Sequence, residues 1–141
     1  MVKELSVLIV EDDDVAAESI TRSLRKVSPE ITLVYAEHGK IAIEILENKH
    51  PTRTLDAPFL VLLDLNMPVM NGFEFLEYVR ESSNLQDTVI FILTTSNDDN
   101  DRARAYENNV AGYMVKSAVG PQFAKLASLL DAYRNAVELN C

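Results

Sequence analysis

The sequence predicts a doubly wound α/β fold: a five-stranded, mainly parallel sheet with helices on its faces. Three observations predict it. Five short runs rich in Val, Ile and Leu recur along the chain, most of them without polar alternation. Strands buried on both faces of a helix-covered sheet read this way. Segments with helical apolar spacing lie between the runs, and that alternation builds a parallel sheet. Acidic, hydroxyl or basic side chains stand just past four of the five runs. Ligands of such sheets bind there, beyond the carboxyl ends of the strands, where the strand order reverses.

The strands are expected at 5–10, 31–36, 59–63, 89–93 and 111–115. The first helix, 15–27, places Ala16, Ile20, Leu24 and Val27 on one face, after Asp13 or Asp14 as N-cap. The second, 39–48, carries Ile41, Ala42, Ile45 and Leu46 after Gly39. The third, 71–82, opens on Asn71-Gly72 and buries Phe75, Leu76 and Val79. The fourth, 98–108, is polar apart from Ala103, Ala105 and Tyr106. The fifth, 119–138, repeats Phe123, Leu126, Leu130, Tyr133 and Val137 as a helical stripe. The stretch from Asn48 to Pro58, with two prolines, reads as a surface insertion away from the carboxyl ends of the strands.

At 141 residues, 48% of them apolar, the chain is expected to be one domain over 1–141 with no output domain. Its one cysteine, Cys141, forms no intramolecular disulfide, which fits a reducing, cytoplasmic setting. The apolar start runs straight into Glu11–Asp14, too short a run for a secretory signal. No stretch reaches the roughly 18 apolar residues of a membrane span. The net charge of −9, without a Lys/Arg cluster, opposes direct DNA binding. The acidic group Asp98, Asp99 and Asp101 reads as a solvated helix start.

The residues beyond the strands are Glu11-Asp12, His38, Asp64, Thr94 and Lys116. His38 is given no function. Asp64 follows four apolar residues, so the fold carries it to the rim of the sheet. A carboxylate forms an acyl phosphate when the incoming phosphoryl charge is neutralised. Mg²⁺ does this with a few carboxylates, waters and phosphate oxygens, and Mn²⁺ can take the same site. Asp12 would bind the metal directly, Glu11 through water, and the Asn66 carbonyl would add a backbone ligand beside Asp64. Lys116 and Thr94 would supply the donors to the phosphoryl oxygens. Taken singly, each residue has a plainer role: a helix cap, a loop acid, a surface lysine. Their shared end of successive strands is what points to phosphate and metal.

These residues resemble the receiver domains of two-component response regulators, such as the chemotaxis regulator. The acidic pair is Glu11-Asp12, and the phosphoacceptor segment is Asp64, Asn66, Met67, Pro68, Met70 and Gly72. The switch hydroxyl matches Thr94, the switch aromatic Tyr113 and the lysine Lys116. The resemblance covers nearly the whole chain from about residue 5 to the last helix. It implies a flavodoxin-like (βα)5 fold with strand order 2-1-3-4-5. It also implies that Asp64 takes a phosphoryl group from a histidine kinase or phosphotransfer protein, the chain being no enzyme beyond its own phosphorylation and dephosphorylation. Thr94 would then move toward the phosphoryl group and Tyr113 turn inward, changing the surface of helix 4, strand 5 and helix 5 for a downstream protein or a homodimer. Asn66, Thr95 and Ser96 would tune access and phosphate lifetime.

Receivers commonly carry proline after the lysine, with a cis peptide; Ser117 stands there. The segment Leu93-Thr94-Thr95-Ser96, the pair Lys116-Ser117 and the long loop before the third strand resemble single-domain regulators that partner phytochromes and other sensor histidine kinases. An aspartyl-phosphate phosphatase would need a second acid where Asn66 stands. A flavin mononucleotide carrier would need a Gly- and hydroxyl-rich loop where Glu11–Asp14 stand. A pseudo-receiver would lack one of the acids or the lysine, and all are present.

Overall fold

The computed structural model describes residues 5–27 and 29–116. The expected helix at 119–138, its pairing face and the bond between Lys116 and Ser117 lie outside the described residues. The order is β1 Ser6–Val10, α1 Asp14–Val27, β2 Thr32–Ala36, α2 Gly39–Leu46, β3 Phe59–Leu63, α3 Gly72–Glu81, β4 Ile90–Thr94, α4 Asp99–Glu107 and β5 Gly112–Val115. All pairs are parallel, in the order β2-β1-β3-β4-β5.

The sheet separates two apolar cores, and successive strand residues alternate between them. Leu8, Val10, Val61, Leu63, Ile90 and Ile92 pack with Ala42, Ile45, Phe75 and Leu76 of α2 and α3. Val7, Ile9, Leu60, Leu62, Phe91 and Leu93 pack with Ile20 and Leu24 of α1. A strand facing apolar material on both sides has no place for polar alternation, which is why the runs read as continuous. In α1 the buried stripe is Ala17, Ile20 and Leu24, with Ala16 half-buried. The cap is Asp13, whose carboxylate accepts from the N–H groups of Val15 (2.9 Å) and Ala16 (3.4 Å).

Two expectations need correction. Thr94 was placed just past the fourth strand, but it is the strand's last residue and pairs with Val115. Backbone pairing is indifferent to side-chain polarity, so the ladder runs one residue beyond the apolar run. The Asn48–Pro58 insertion does not stay away from the carboxyl ends. It runs beside the outer edge of β2, where Leu33, Val34, Tyr35 and Thr52, Arg53, Thr54 line a cavity of ≈ 400 Å³. Arg53 donates to the Tyr35 carbonyl (3.0 Å) and pairs with Glu37, the residue after β2 (2.9 Å). The arginine thus covers part of an edge that would otherwise offer open backbone groups to another strand.

A second arginine joins the far elements. The Arg80 guanidinium of α3 donates to the carbonyls of Gln86 (2.7 Å), Thr88 (2.8 Å), Asn108 (2.6 Å) and Asn109 (3.1 Å). It ties the approach to β4 to the end of α4. Burial lowers its pKa from the ordinary arginine value, the expected sign for a cation leaving water. Arg80→Met keeps the apolar stem and leaves four carbonyls without this donor. It is expected to cost about 2 kcal/mol, read as a lower urea midpoint at unchanged m-value.

Candidate functional site

The register of the sheet builds the site. Val10 pairs with Leu63, so Glu11 and Asp64 leave neighbouring strands at the same level. The Asp64 N–H still donates to the Val10 carbonyl (3.0 Å), and the Glu11 N–H to that of Ala36 (3.0 Å). Thr94 pairs with Val115, and Lys116 follows. From the end of β5 the Lys116 ammonium reaches back over β4 and β3. It lies 2.5 Å from Glu11 Oε2 and 3.6 Å from Asp64 Oδ2.

Glu11 is 2% exposed and Asp64 5%, while Asp12 is exposed. One carboxylate oxygen from each lies within 4.8 Å of the others. Burial pushes the Glu11 carboxyl up to about 7, and the hydrogen bond from Lys116 opposes that rise. With all groups ionised, three carboxylates against one ammonium leave two negative charges. An all-oxygen donor set with that excess, partly open through Asp12, suits a hard divalent cation.

The packing of the α3 start holds Asp64 in place. A Cβ at Gly72 would stand 2.6 Å from the Asp64 carbonyl oxygen and 2.6 Å from Leu65 Cα, both backbone. Only glycine lets the start of α3 come this close. The Gly72 N–H donates to the Leu65 carbonyl (3.0 Å) across the contact. The helix is started by a reciprocal cap, Asn71 Oδ1 accepting from the Glu74 N–H and Glu74 from the Asn71 N–H. Between these points Val69 has φ 67°, a left-handed conformation rare for a β-branched residue. The Met70 N–H closes the turn onto the Pro68 carbonyl (2.7 Å).

The remaining predicted residues gather at the ends of β4 and β5. Thr94 is fully buried, and its hydroxyl oxygen accepts from the Ser96 N–H at 3.4 Å. Thr95 and Asn66 are exposed, and the Asn66 amide donates to the Thr95 hydroxyl at 3.4 Å across the mouth of the site. Half-buried Tyr113 donates its hydroxyl to the Ser96 carbonyl (3.0 Å). Burial raises its phenol pKa. His38 caps α2, its Nδ1 accepting from the Ile41 N–H at 3.4 Å, so a backbone role explains its place. Sequence reasoning missed Asp101, whose carboxylate accepts the Ser96 hydroxyl at 2.6 Å. Only its position in the first turn of a helix capped by Asp98 could have pointed to it.

Fold and site together define an α/β protein with a carboxylate-and-ammonium centre at the topological switch point. A family model described as the response regulator receiver domain matches residues 7–127, and the chain belongs to that family. Response regulator Rcp1 of Synechocystis sp. is 29% identical over 127 residues, covering 90% of this chain and 86% of its own. The Mn²⁺-bound form of Rcp1 superposes with a TM-score of 0.73, at 26% identity over 91% of this chain and 92% of that one. The bacteriophytochrome response regulator RtBRR is 30% identical with a TM-score of 0.75, over 92% of this chain and 77% of its own. The phosphorylated cyanobacterial phytochrome response regulator RcpA shares the fold, with a TM-score of 0.79 over 96% of each chain at 23% identity. The flavodoxin-like topology expected from the sequence is therefore the observed one.

The tight approach at Gly72 makes a direct prediction. Gly72→Ala must push the α3 start away from the Asp64 backbone and is expected to cost about 1–3 kcal/mol. Because the carboxylate moves with its backbone, divalent-cation affinity should fall as well. A denaturant titration and isothermal calorimetry with Mg²⁺ read the two effects separately.

Proposed function

We propose that this chain is a single-domain response regulator in which Asp64 accepts a phosphoryl group from a histidine kinase or histidine phosphotransfer protein. The observation that carries this reading is the Lys116 ammonium set between Glu11 and Asp64, with three carboxylates clustered at the neighbouring ends of β1 and β3. A carboxylate oxygen of Asp64 attacks the phosphorus of a phosphohistidine. The P–O bond forms, the P–N bond breaks, and the imidazole leaves with the electron pair. Lys116 shifts from Glu11 to the arriving phosphoryl oxygens, and Thr94 donates its hydroxyl to another. Asp12, Asp64 and the Asn66 carbonyl would hold Mg²⁺, or Mn²⁺ in its place, with Glu11 reaching it through water, and the ion would neutralise phosphoryl charge when bound.

The response then travels through the buried Thr94 and half-buried Tyr113 to the α4–β5 face, the surface offered to a downstream protein. It is a two-state shift driven by a local change of charge. Asn66, Thr95 and Ser96 border the route of attacking water and set how long the acyl phosphate lasts. The kinase is a sensor of the phytochrome class or one like it, a reading supported by the 30% identity with RtBRR. The protein works in the cytoplasm. Among the described residues no helix is long and apolar enough to cross a membrane.

Intact mass after incubation with Mg²⁺ and acetyl phosphate tests the chemistry. An adduct of about 80 Da, the mass of the transferred phosphoryl group, is expected on wild type. It should be absent from Asp64→Asn and absent with EDTA. Absence from wild type, together with no uptake of beryllofluoride, would leave a phosphorylation-independent interaction module.

A further inference from the structure

We infer that Asp101 is a positioning residue of the switch, the link by which Ser96 carries a change at Thr94 into the first turn of α4. The inference rests on the phosphoacceptor reading of Asp64. Ser96 is the meeting point of three groups. Its N–H donates to the Thr94 hydroxyl oxygen (3.4 Å), its carbonyl accepts from the Tyr113 hydroxyl (3.0 Å), and its own hydroxyl donates to Asp101 (2.6 Å). The shortest of the three is the one that leaves the loop for the helix.

What else fastens α4 gives that bond its weight. Ala105 is the helix's one fully buried residue, so apolar packing holds it weakly. Its later turns are held by Arg104, which lies 4.2 Å over the Phe73 ring and 2.8 Å from Glu77, and by Arg80 on the Asn108 and Asn109 carbonyls. These contacts all run to α3. The first turn is instead tied to the switch residues, through Asp101 to Ser96 and through Arg102, 5.1 Å over the Tyr113 ring. The helix is thus pinned to α3 at one end and to the switch at the other.

When the Thr94 hydroxyl turns to a phosphoryl oxygen, the Ser96 N–H loses its acceptor and the loop is released. Ser96 then carries two things with it: the acceptor of Tyr113 and, through Asp101, the first turn of α4. The helix pivots on its α3-bound end. A plainer account makes Asp101 a helix-start acid that favours the helix dipole. The two accounts part at Asp101→Asn, which loses the charge but keeps an oxygen for the Ser96 hydroxyl.

The test uses the full chain, ¹⁵N-labelled, titrated with beryllofluoride and Mg²⁺. Fluorine NMR reports occupancy, and amide shifts report α4. In wild type the shifts of Asp99–Arg102 should grow with occupancy. Asp101→Ala should still take up beryllofluoride while the response of the first turn is lost, and Asp101→Asn should keep it. Ser96→Ala removes the same bond from the donor side and should lose the response too, which covers the case of a melted helix in Asp101→Ala. A wild-type response in Asp101→Ala overturns the inference, as does an Asn variant that behaves like Ala. Occupancy without any α4 shift in wild type sinks it alone, whereas no uptake by wild type sinks the phosphoacceptor reading with it.

Discussion

Because Val10 and Leu63 pair in register, the chain leaves β1 and β3 at one level, and the carboxylates that follow stand side by side. Like charges this close, with Glu11 and Asp64 almost fully buried, oppose folding unless something offsets them. Lys116 is that offset within the chain, and it comes from three strands away. A buried ion pair of this kind seldom adds net stability, since desolvation cancels much of the attraction. Its value lies elsewhere. The ammonium is held ready at the place where phosphoryl charge would arrive, and the two unneutralised carboxylates keep an opening for a cation. The same strand ends that make the site costly to fold would, on the proposed function, make it reactive.

The rest of the molecule divides by how firmly it is held to this centre. The sheet, α1, α2 and α3 are joined by two apolar cores, and Gly72 presses α3 against the Asp64 backbone. Such packing is dense and has few alternative arrangements. The fourth helix is attached differently, by arginines over aromatic rings, by carbonyl contacts and by a carboxylate–hydroxyl bond. Only Ala105 of α4 enters an apolar core, so less packing fixes this helix in one arrangement than fixes α1, α2 and α3.

That division also decides what could be read beforehand. Continuous apolar runs locate β1 to β5 within a residue at each end, because apolar packing, nearly complete in β1, β3 and β4 and partial in the edge strands β2 and β5, leaves its mark on composition. The centre was legible for the same reason: Glu11, Asp12, Asp64 and Lys116 are polar residues placed where an apolar run stops. Thr94 misled slightly, since its side chain marks an end that the backbone ladder passes. The arginines were not legible. Arg53 and Arg80 satisfy carbonyls 6 to 29 residues away, and nothing in the local sequence records which carbonyls those are. Asp101 was hidden by its neighbours, because Asp98 and Asp99 make the group resemble an ordinary solvated helix start.

The polarity of α4 and the position of Asp101 have one origin. A helix with a wide apolar stripe would bind the sheet through its whole length, and a shift at Ser96 would be absorbed by packing. With a single buried residue, the helix takes its orientation from its two ends. One end is set by α3, which Gly72 locks to Asp64, and the other by the loop that follows Thr94. Phosphorylation would act on only one of these ends, and the difference between them would turn a small displacement into a rotation. On the proposed function, the weakness of the helix as a piece of core would be the condition for its use as an output.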